Sequence, residues 1–170
     1  MINLVPLIEI AAGDIESLLD SAFGADRHNR TAYRIRLGVT FLPALSFAAI
    51  ESGQLVGAIQ CWPVALVLDD GDSVPLVMVG PVAVCPDRQR DGIGRQLMTH
   101  MLGRAEATGD ARALMLIGDP EYYGRLFGFT ADQTALWRAP GPVEQRRLLA
   151  RGDQVPAAAG MLGPGVTIAA

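Results

Sequence analysis

Apolar residues along the chain fall into short runs that alternate with polar turns. Four runs rich in β-branched and other apolar residues predict strands, at residues 2–9, 45–51, 55–68 and 76–84. Between the last three runs lie the turn-forming segments Ser52-Gly53-Gln54 and Asp69-Asp70-Gly71-Asp72. This arrangement predicts a meander of strands in the middle of a sheet.

Other stretches carry their apolar residues at helical spacing. In residues 14–23 the spaced positions are Ile15, Leu18, Leu19, Ala22 and Phe23. Asp14 is the candidate N-cap of this helix, and Gly24 ends it. Further helices are predicted at residues 29–37, 93–107 and 142–151, the last with proline at its first position. Residues 113–117 and 134–138 predict two more strands, of which the first follows a helical crossover and should run parallel to the 76–84 strand.

Strands and helices therefore alternate, and we predict a mixed α/β (α+β) fold. A chain of 170 residues with 50% hydrophobic content is long enough to bury one sizeable core. We assign residues 1–151 to a single domain. The Gly/Pro/Ala-rich segment 152–170 is expected to be a terminal strand or a loosely ordered tail.

Composition excludes several classes of function. A net charge of −4 argues against binding a nucleic-acid backbone over a broad surface. No apolar run reaches the length of a membrane span, and the first residues lack the basic start of a signal peptide, so we expect a cytoplasmic protein without a membrane partner. Cys61 and Cys85 are expected to be small buried hydrophobic residues, and no Cys/His spacing predicts a metal site. We expect a monomer or a homodimer.

The most informative segment lies between the strand at residues 76–84 and the helix at 93–107. It is polar, and it contains Gly92 and Gly94 among Arg88, Arg90 and Arg95. Glycines allow close approach of the backbone to a ligand, and the unpaired N–H groups of a helix N-terminus attract anions. Arginines add charge-assisted donors. The segment therefore predicts a pyrophosphate site.

Spacing narrows the identity of that pyrophosphate. A dinucleotide fold would carry a third glycine, where this chain has Leu97. A Walker loop needs a lysine, and the chain contains none. The order Gln89-x-x-Gly92-x-Gly94 resembles instead the acetyl-CoA loop of the GNAT superfamily of N-acetyltransferases.

The resemblance continues beyond the loop. Residues 118–129, which read GDPEYYGRLFGF, are similar to the distal motif of that family, and the order of elements from about Leu4 to about Arg138 looks like a GNAT domain. The residues of the distal motif and the following Pro-Gly-Pro-Val at residues 140–143 resemble those of the YhbS-like bacterial subgroup. The resemblance implies a mixed central sheet of about six or seven strands, splayed at the acetyl-CoA groove and flanked by about four helices.

Acetyl-CoA is the co-substrate that the resemblance implies. The residues expected to bind it are Val82, Ala83, Val84, Gln89, Arg90, Asp91, Gly92, Ile93, Gly94 and Arg95. Gly80-Pro81 interrupts the strand before the loop, and because proline cannot donate to a ladder we expect a bulge there or a place where neighbouring strands part. The backbone of residues 82–84 would then pair with the amides of the pantetheine arm, much as an added strand does.

The implied chemistry is direct attack of an amine on the acetyl thioester. The backbone N–H of Val82 is the candidate that polarises the carbonyl. Tyr123 is the candidate acid for the departing thiolate. In the usual family pattern this tyrosine lies four residues before the glycine of Gly-Phe, whereas Tyr123 lies five before Gly128. The alternatives of Tyr122, or of neither ring, therefore stay open.

No single residue identifies itself as the base. The candidates are Glu51, Asp69, Glu121 and a water chain. His28 and His100 are weaker candidates, and His100 is expected at the surface. We predict an N-acetyltransferase acting on an amine of a small molecule or a peptide. The alternative is a domain that binds acetyl-CoA as a sensor or partner subunit without efficient transfer, and a dinucleotide-dependent oxidoreductase comes third.

Overall fold

A computed structural model of the chain describes residues 1–165. Its helices are α1 (Ala12–Phe23), α2 (Thr31–Ile35), α3 (Ile93–Thr108) and α4 (Pro120–Phe127). Its strands are β1 (Asn3–Pro6), β2 (Phe47–Glu51), β3 (Gln54–Leu68), β4 (Ser73–Val84), β5 (Leu114–Ile117), β6 (Trp137–Arg138), β7 (Leu148–Arg151) and β8 (Gly160–Pro164). The predicted mixed class is confirmed, with eight strands in the sheet in place of six or seven.

The strands follow the order β1-β2-β3-β4-β5-β7, and β8 pairs with both β3 and β6. The chain divides into two compact units. The first comprises Met1–His28, Phe41–Cys61 and Gly80–Thr108, and the second comprises Asn29–Thr40, Trp62–Val79 and Gly109–Ala170, of which the structure describes residues up to 165. The long strands β3 and β4 each contribute one segment to each unit.

In the first unit, β1, β2 and the start of β3 form an antiparallel ladder. The β2–β3 hairpin turns at Ser52 and Gly53, both of which have positive φ. Helix α1 buries Ile15, Leu18 and Leu19 in a core cluster that also contains Ala48 and Ala58. The helical spacing read from the sequence thus gives the face that α1 packs on the sheet.

Helix α3 lies close to β3 because Gly57 has no side chain. A Cβ built at Gly57 would lie 2.8 Å from Cγ2 of Ile93 and 3.2 Å from Cδ1 of Leu97. Both of these α3 side chains are fully buried. The small residue on the strand therefore sets how near the start of α3 approaches the sheet.

In the second unit, β4 and β5 are parallel, with Val77 opposite Leu114 and Met78 opposite Met115. Strand β7 pairs antiparallel to β5, and β8 lies antiparallel to β3 and parallel to β6. The core of this unit includes Trp137, Leu148 and Leu162. The predicted crossover, with a strand parallel to the residue 76–84 strand, is confirmed.

The predicted helix at residues 142–151 is wrong. Residues Gln145–Arg147 form a short 3₁₀ turn, and Leu148–Arg151 form β7. Leu148 and Leu149 pair with the buried strand β5 and are fully buried themselves. Pairing with a strand distant in the chain therefore overrides the local preference of a leucine-rich segment.

Smaller predictions also need correction. Strand β1 ends at Pro6, and residues 7–9 form a 3₁₀ turn. Helix α1 begins before Asp14, with Ala11 at the N-cap position, while Gly24 does end it with φ of +92°. Only residues 137–138 of the predicted 134–138 strand pair. Of the segment 152–170, predicted to be a terminal strand or a loosely ordered tail, Gly160–Pro164 forms strand β8, and residues 166–170 lie outside the described residues.

Candidate functional site

The glycine-containing loop leads directly into α3. A 3₁₀ turn at Pro86–Arg88 follows β4, Gly92 takes a left-handed φ of +79°, and the helix begins at Ile93. The first hydrogen bond that closes the helix runs from the N–H of Gln96 to the carbonyl of Gly92, at 3.1 Å. Within residues 1–165 no backbone carbonyl accepts from the N–H groups of residues 92–95. Four consecutive donors are therefore available to an anion at this helix start.

The three arginines near the loop have different surroundings. Arg88 donates to both carboxylate oxygens of Glu51, at 2.5 and 3.3 Å, and also pairs with Asp91. Arg90 and Arg95 are exposed, and no salt bridge involves either of them in the described part of the chain. Arg88 thus ties the loop to the end of β2, whereas the other two guanidinium groups are available for a ligand.

The end of β4 supports the start of α3. Ala83 is fully buried in the α1 side of the core. A Cβ built at Gly94 would lie 3.6 Å from Cγ1 of Val82 and 3.7 Å from Cγ2 of Val84, which is ordinary contact. The helix start therefore rests on two β4 side chains, and an alanine at position 94 fits there. Gly80, two residues before Val82, has φ of +119°.

The distal motif forms a capped helix in the second unit. The Asp119 side chain accepts from the N–H of Glu121, and Pro120 occupies the first helical position. Gly128 ends the helix in the left-handed conformation, and the N–H of Phe129 donates to the carbonyl of Tyr123 at 3.2 Å. The glycine of Gly-Phe is thus required by the backbone that closes α4.

The two tyrosines of α4 are not equivalent. Tyr122 is 38% exposed, while Tyr123 is more deeply buried and meets Tyr122 edge to face at 4.9 Å between ring centroids. Burial, together with the neighbouring Tyr122 phenol, raises the pKa of Tyr123 above its usual value, and Arg147 opposes this shift. Tyr123 is therefore protonated at neutral pH, as a proton donor must be.

Each candidate carboxylate base is engaged in an ion pair. Hydrogen bonding to Arg88 lowers the pKa of Glu51, and hydrogen bonding to Arg138 lowers that of Asp69. Hydrogen bonding at the start of α4, first to Asp119, lowers the pKa of Glu121, and Arg146 adds to this effect. A carboxylate with a lowered pKa accepts a proton poorly. None of these groups is prepared by its surroundings to act as a base near neutral pH.

The histidines and cysteines have varied surroundings. The ring of His100, which is half-buried, lies edge-on to Phe47, with 4.5 Å between the centroids. His28 lies 3.4 Å from the guanidinium of Arg27. Cys61 is fully buried, and burial raises the pKa of its thiol, while Cys85 is half-buried. Within residues 1–165 no cluster of three or more His, Cys, Asp or Glu side chains has a metal-binding arrangement.

One constellation in the second unit was not predicted. The guanidinium of Arg36, a buried residue, lies 4.0 Å from the ring centroid of Tyr33 and 4.1 Å from that of Trp62. Such stacking on two aromatic faces favours a buried cation. Because Trp62 belongs to β3 and the other two residues to the α2 region, the sequence alone carries no signal for this arrangement.

None of the helices within residues 1–165 combines the length and the apolar character required to cross a bilayer. This finding concerns the part of the chain that the structure describes.

Comparisons with known proteins agree with these local features. The chain is 30% identical over 90 residues to an uncharacterized N-acetyltransferase of Streptomyces avermitilis, and it spans only 21% of the length of that relative. Among solved structures it resembles YhbS from Escherichia coli in complex with CoA, with a TM-score of 0.68, 26% identity, and coverage of 95% of this chain and 87% of that one.

A second solved structure is similar along most of its length. It is a GNAT family acetyltransferase from Brucella melitensis in complex with acetyl-CoA, with a TM-score of 0.55, 26% identity, and coverage of 88% of this chain and 95% of that one. The family model for the acetyltransferase (GNAT) domain matches residues 13–131, which include both the loop before α3 and the distal motif. The chain therefore belongs to the GNAT superfamily.

Proposed function

We propose that this protein transfers an acetyl group from acetyl-CoA to an amine of a small molecule or a peptide. The observation that carries the proposal is the run of four open backbone N–H groups at residues 92–95, placed after a left-handed glycine at the start of α3. Such donors suit the pyrophosphate of CoA. Two similar solved structures, from the same superfamily, are complexes with CoA and with acetyl-CoA.

The binding residues that we propose follow the backbone from β4 into α3. The backbone of Val82, Ala83 and Val84 pairs with the pantetheine amides. The loop supplies the pyrophosphate contacts through residues 89–95, mainly as backbone donors, since Arg90 and Arg95 are exposed and their charges are screened by salt. Arg88 is not among these ligands, because Glu51 and Asp91 occupy its guanidinium.

The chemistry that we propose is a direct transfer. The amine nitrogen attacks the thioester carbonyl, a C–N bond forms, and the C–S bond breaks. The N–H of Val82 stabilises the negative charge that develops on the carbonyl oxygen. Tyr123 gives its proton to the departing thiolate, and its raised pKa keeps that proton in place until then. The proton of the attacking ammonium leaves to solvent, since the candidate carboxylates are held in ion pairs, and the proton that the nitrogen loses as the amide forms restores the Tyr123 phenol through solvent.

Two measurements test the proposal. Calorimetric titration with CoA and acetyl-CoA measures binding, and we expect both to bind and to raise Tm. Release of CoA thiol over a panel of amines, with acetylated products identified by mass spectrometry, measures transfer. Absence of CoA binding in the folded protein would refute the assignment of the loop.

A sensor or partner domain that binds acetyl-CoA without efficient transfer is the second candidate. It is favoured by the ion pairing of all three candidate carboxylates, which leaves none of these three prepared to deprotonate the amine. Tight CoA binding without thiol release for any amine, whether small or in a peptide, would support this function over the first.

A further inference from the structure

Gly118 lies between the end of β5 and the N-cap of α4. Its N–H donates to the carbonyl of Arg147 at 2.9 Å, which holds its backbone in place. A Cβ built at Gly118 would lie 2.5 Å from Cε2 and 2.8 Å from Cδ2 of Tyr123. Real Cβ atoms essentially never lie within 3.0 Å of such a neighbouring atom. The ring of Tyr123 thus occupies the space that any side chain at position 118 would need.

The backbone at position 118 gives no other reason for a glycine. Gly118 is not among the residues with positive φ, so its conformation is open to any amino acid. Glycine is required there by the neighbouring ring and, less tightly, by Cδ1 of Leu116 at 3.1 Å from the built Cβ, rather than by the turn. This differs from Gly128, whose left-handed conformation closes α4.

From this contact we infer that Gly118 is a positioning residue for Tyr123. The ring lies against the bare Cα of Gly118, and it also meets Tyr122, Phe127 and Phe129, at centroid distances of 4.9, 6.3 and 6.5 Å. The contact with Gly118 therefore determines where the Tyr123 hydroxyl lies. The catalytic consequence rests on the proposed function, in which that hydroxyl protonates the thiolate.

An added methyl group at position 118 has a simple way to be accommodated. The clashing atoms belong to an aromatic side chain that can rotate, whereas the backbone of α4 is held by its capping hydrogen bonds. Gly118→Ala should therefore displace the Tyr123 ring and leave the helix formed. The affinity for acetyl-CoA should change little, and proton donation from Tyr123 to the thiolate should become slower.

The experiment compares four variants of the full chain with the wild type. They are Gly118→Ala, Tyr123→Phe, the double variant Gly118→Ala/Tyr123→Phe, and the control Gly103→Ala. Gly103 is an exposed position on α3 with no atom within 4 Å of a built Cβ. We expect Gly118→Ala and Tyr123→Phe each to lower kcat ~10²-fold or more with KM for acetyl-CoA nearly unchanged, and the double variant to be no worse than Tyr123→Phe.

If Gly118→Ala keeps the wild-type kcat while Tyr123→Phe has a lowered kcat, the positioning role of Gly118 is overturned. A double variant whose losses multiply would also overturn it, because Gly118 would then act through another group. An unimpaired Tyr123→Phe would instead refute Tyr123 as the proton donor, and with it the catalytic consequence of the Gly118 contact.

Stability provides a readout that does not depend on catalysis. Gly118→Ala should lower Tm by about 3 °C or more in the wild-type background, and by much less in a Tyr123→Ala background, where the ring is absent. Equal losses in the two backgrounds would overturn the contact itself. If Gly118→Ala alone fails to fold, recovery of folding in Gly118→Ala/Tyr123→Ala supports the inference, and failure there too overturns it.

Discussion

Replacing Gly92 with alanine tests the backbone of the proposed pyrophosphate site. Gly92 has φ of +79°, and no atom lies within 4 Å of a Cβ built on it, so the substitution introduces backbone strain without a steric clash. An L-residue in the left-handed region costs about 1–2 kcal/mol. If the loop keeps its conformation, Tm should fall by about 2–8 °C in a chain of this length.

The loop can also relieve the strain by leaving the left-handed conformation. The N–H groups of residues 93–95 would then lose their common direction, and CoA binding would have to restore it. The same free energy then appears as a loss of about 5- to 30-fold in affinity for CoA. Calorimetric titration with CoA, together with thermal unfolding of the unliganded protein, measures the two losses separately.

Gly94→Ala is the matched control. Its backbone is helical rather than left-handed, and the added Cβ would make only ordinary contacts with Val82 and Val84, at 3.6 and 3.7 Å. Alanine also favours the helix over glycine by up to ~1 kcal/mol. We expect unchanged CoA affinity and equal or higher Tm. Wild-type affinity and Tm in Gly92→Ala, or an equal loss of affinity in Gly94→Ala, would refute the reasoning.

Three further predictions follow from the structure. Tyr123→Phe should lower kcat by ~10²- to 10⁴-fold with nearly intact CoA affinity, while Tyr122→Phe should lower kcat only slightly. Steady-state kinetics measures both effects, and a larger loss of kcat in Tyr122→Phe would assign the acid to Tyr122. Glu51→Gln should lower Tm at pH 7 by weakening the tie to Arg88. Because Arg88 holds the pKa of Glu51 below its ordinary 4.5, the ion pair is complete above that pH and is lost as pH falls through the lowered value. The Tm difference between wild type and Glu51→Gln should therefore vanish in acid, and a constant difference would contradict this. If the acidic turn at residues 69–72 attracts a cationic amine, kcat/KM should fall as salt is added. It should fall again in Asp70→Asn, which keeps the hydrogen bond of the turn. A kcat/KM that does not depend on salt would contradict this attraction.

Several features of the fold have causes that are local in the amino-acid sequence. A left-handed Gly92 and the open N–H groups after it depend only on neighbours in the chain, and so does the capping of α4 from Asp119 to Gly128. The apolar spacing of α1 and α3 also identified their buried faces. Because the loop before α3 and the distal motif depend on local sequence, the resemblance to the family could be recognised from the amino-acid sequence alone.

Other features depend on the tertiary fold, which sets how segments pair and how side chains pack. Leucine-rich residues 148–150 are a strand because they pair with β5, a partner more than thirty residues away in the chain. Arg88 binds Glu51 rather than remaining open, and Tyr123 is the more buried of two adjacent tyrosines because its ring lies against Gly118. Strand pairing and ion-pair choice arise from contacts between segments far apart in sequence, and the position of the Tyr123 ring depends on side-chain packing. Periodicity and motif spacing do not encode these contacts.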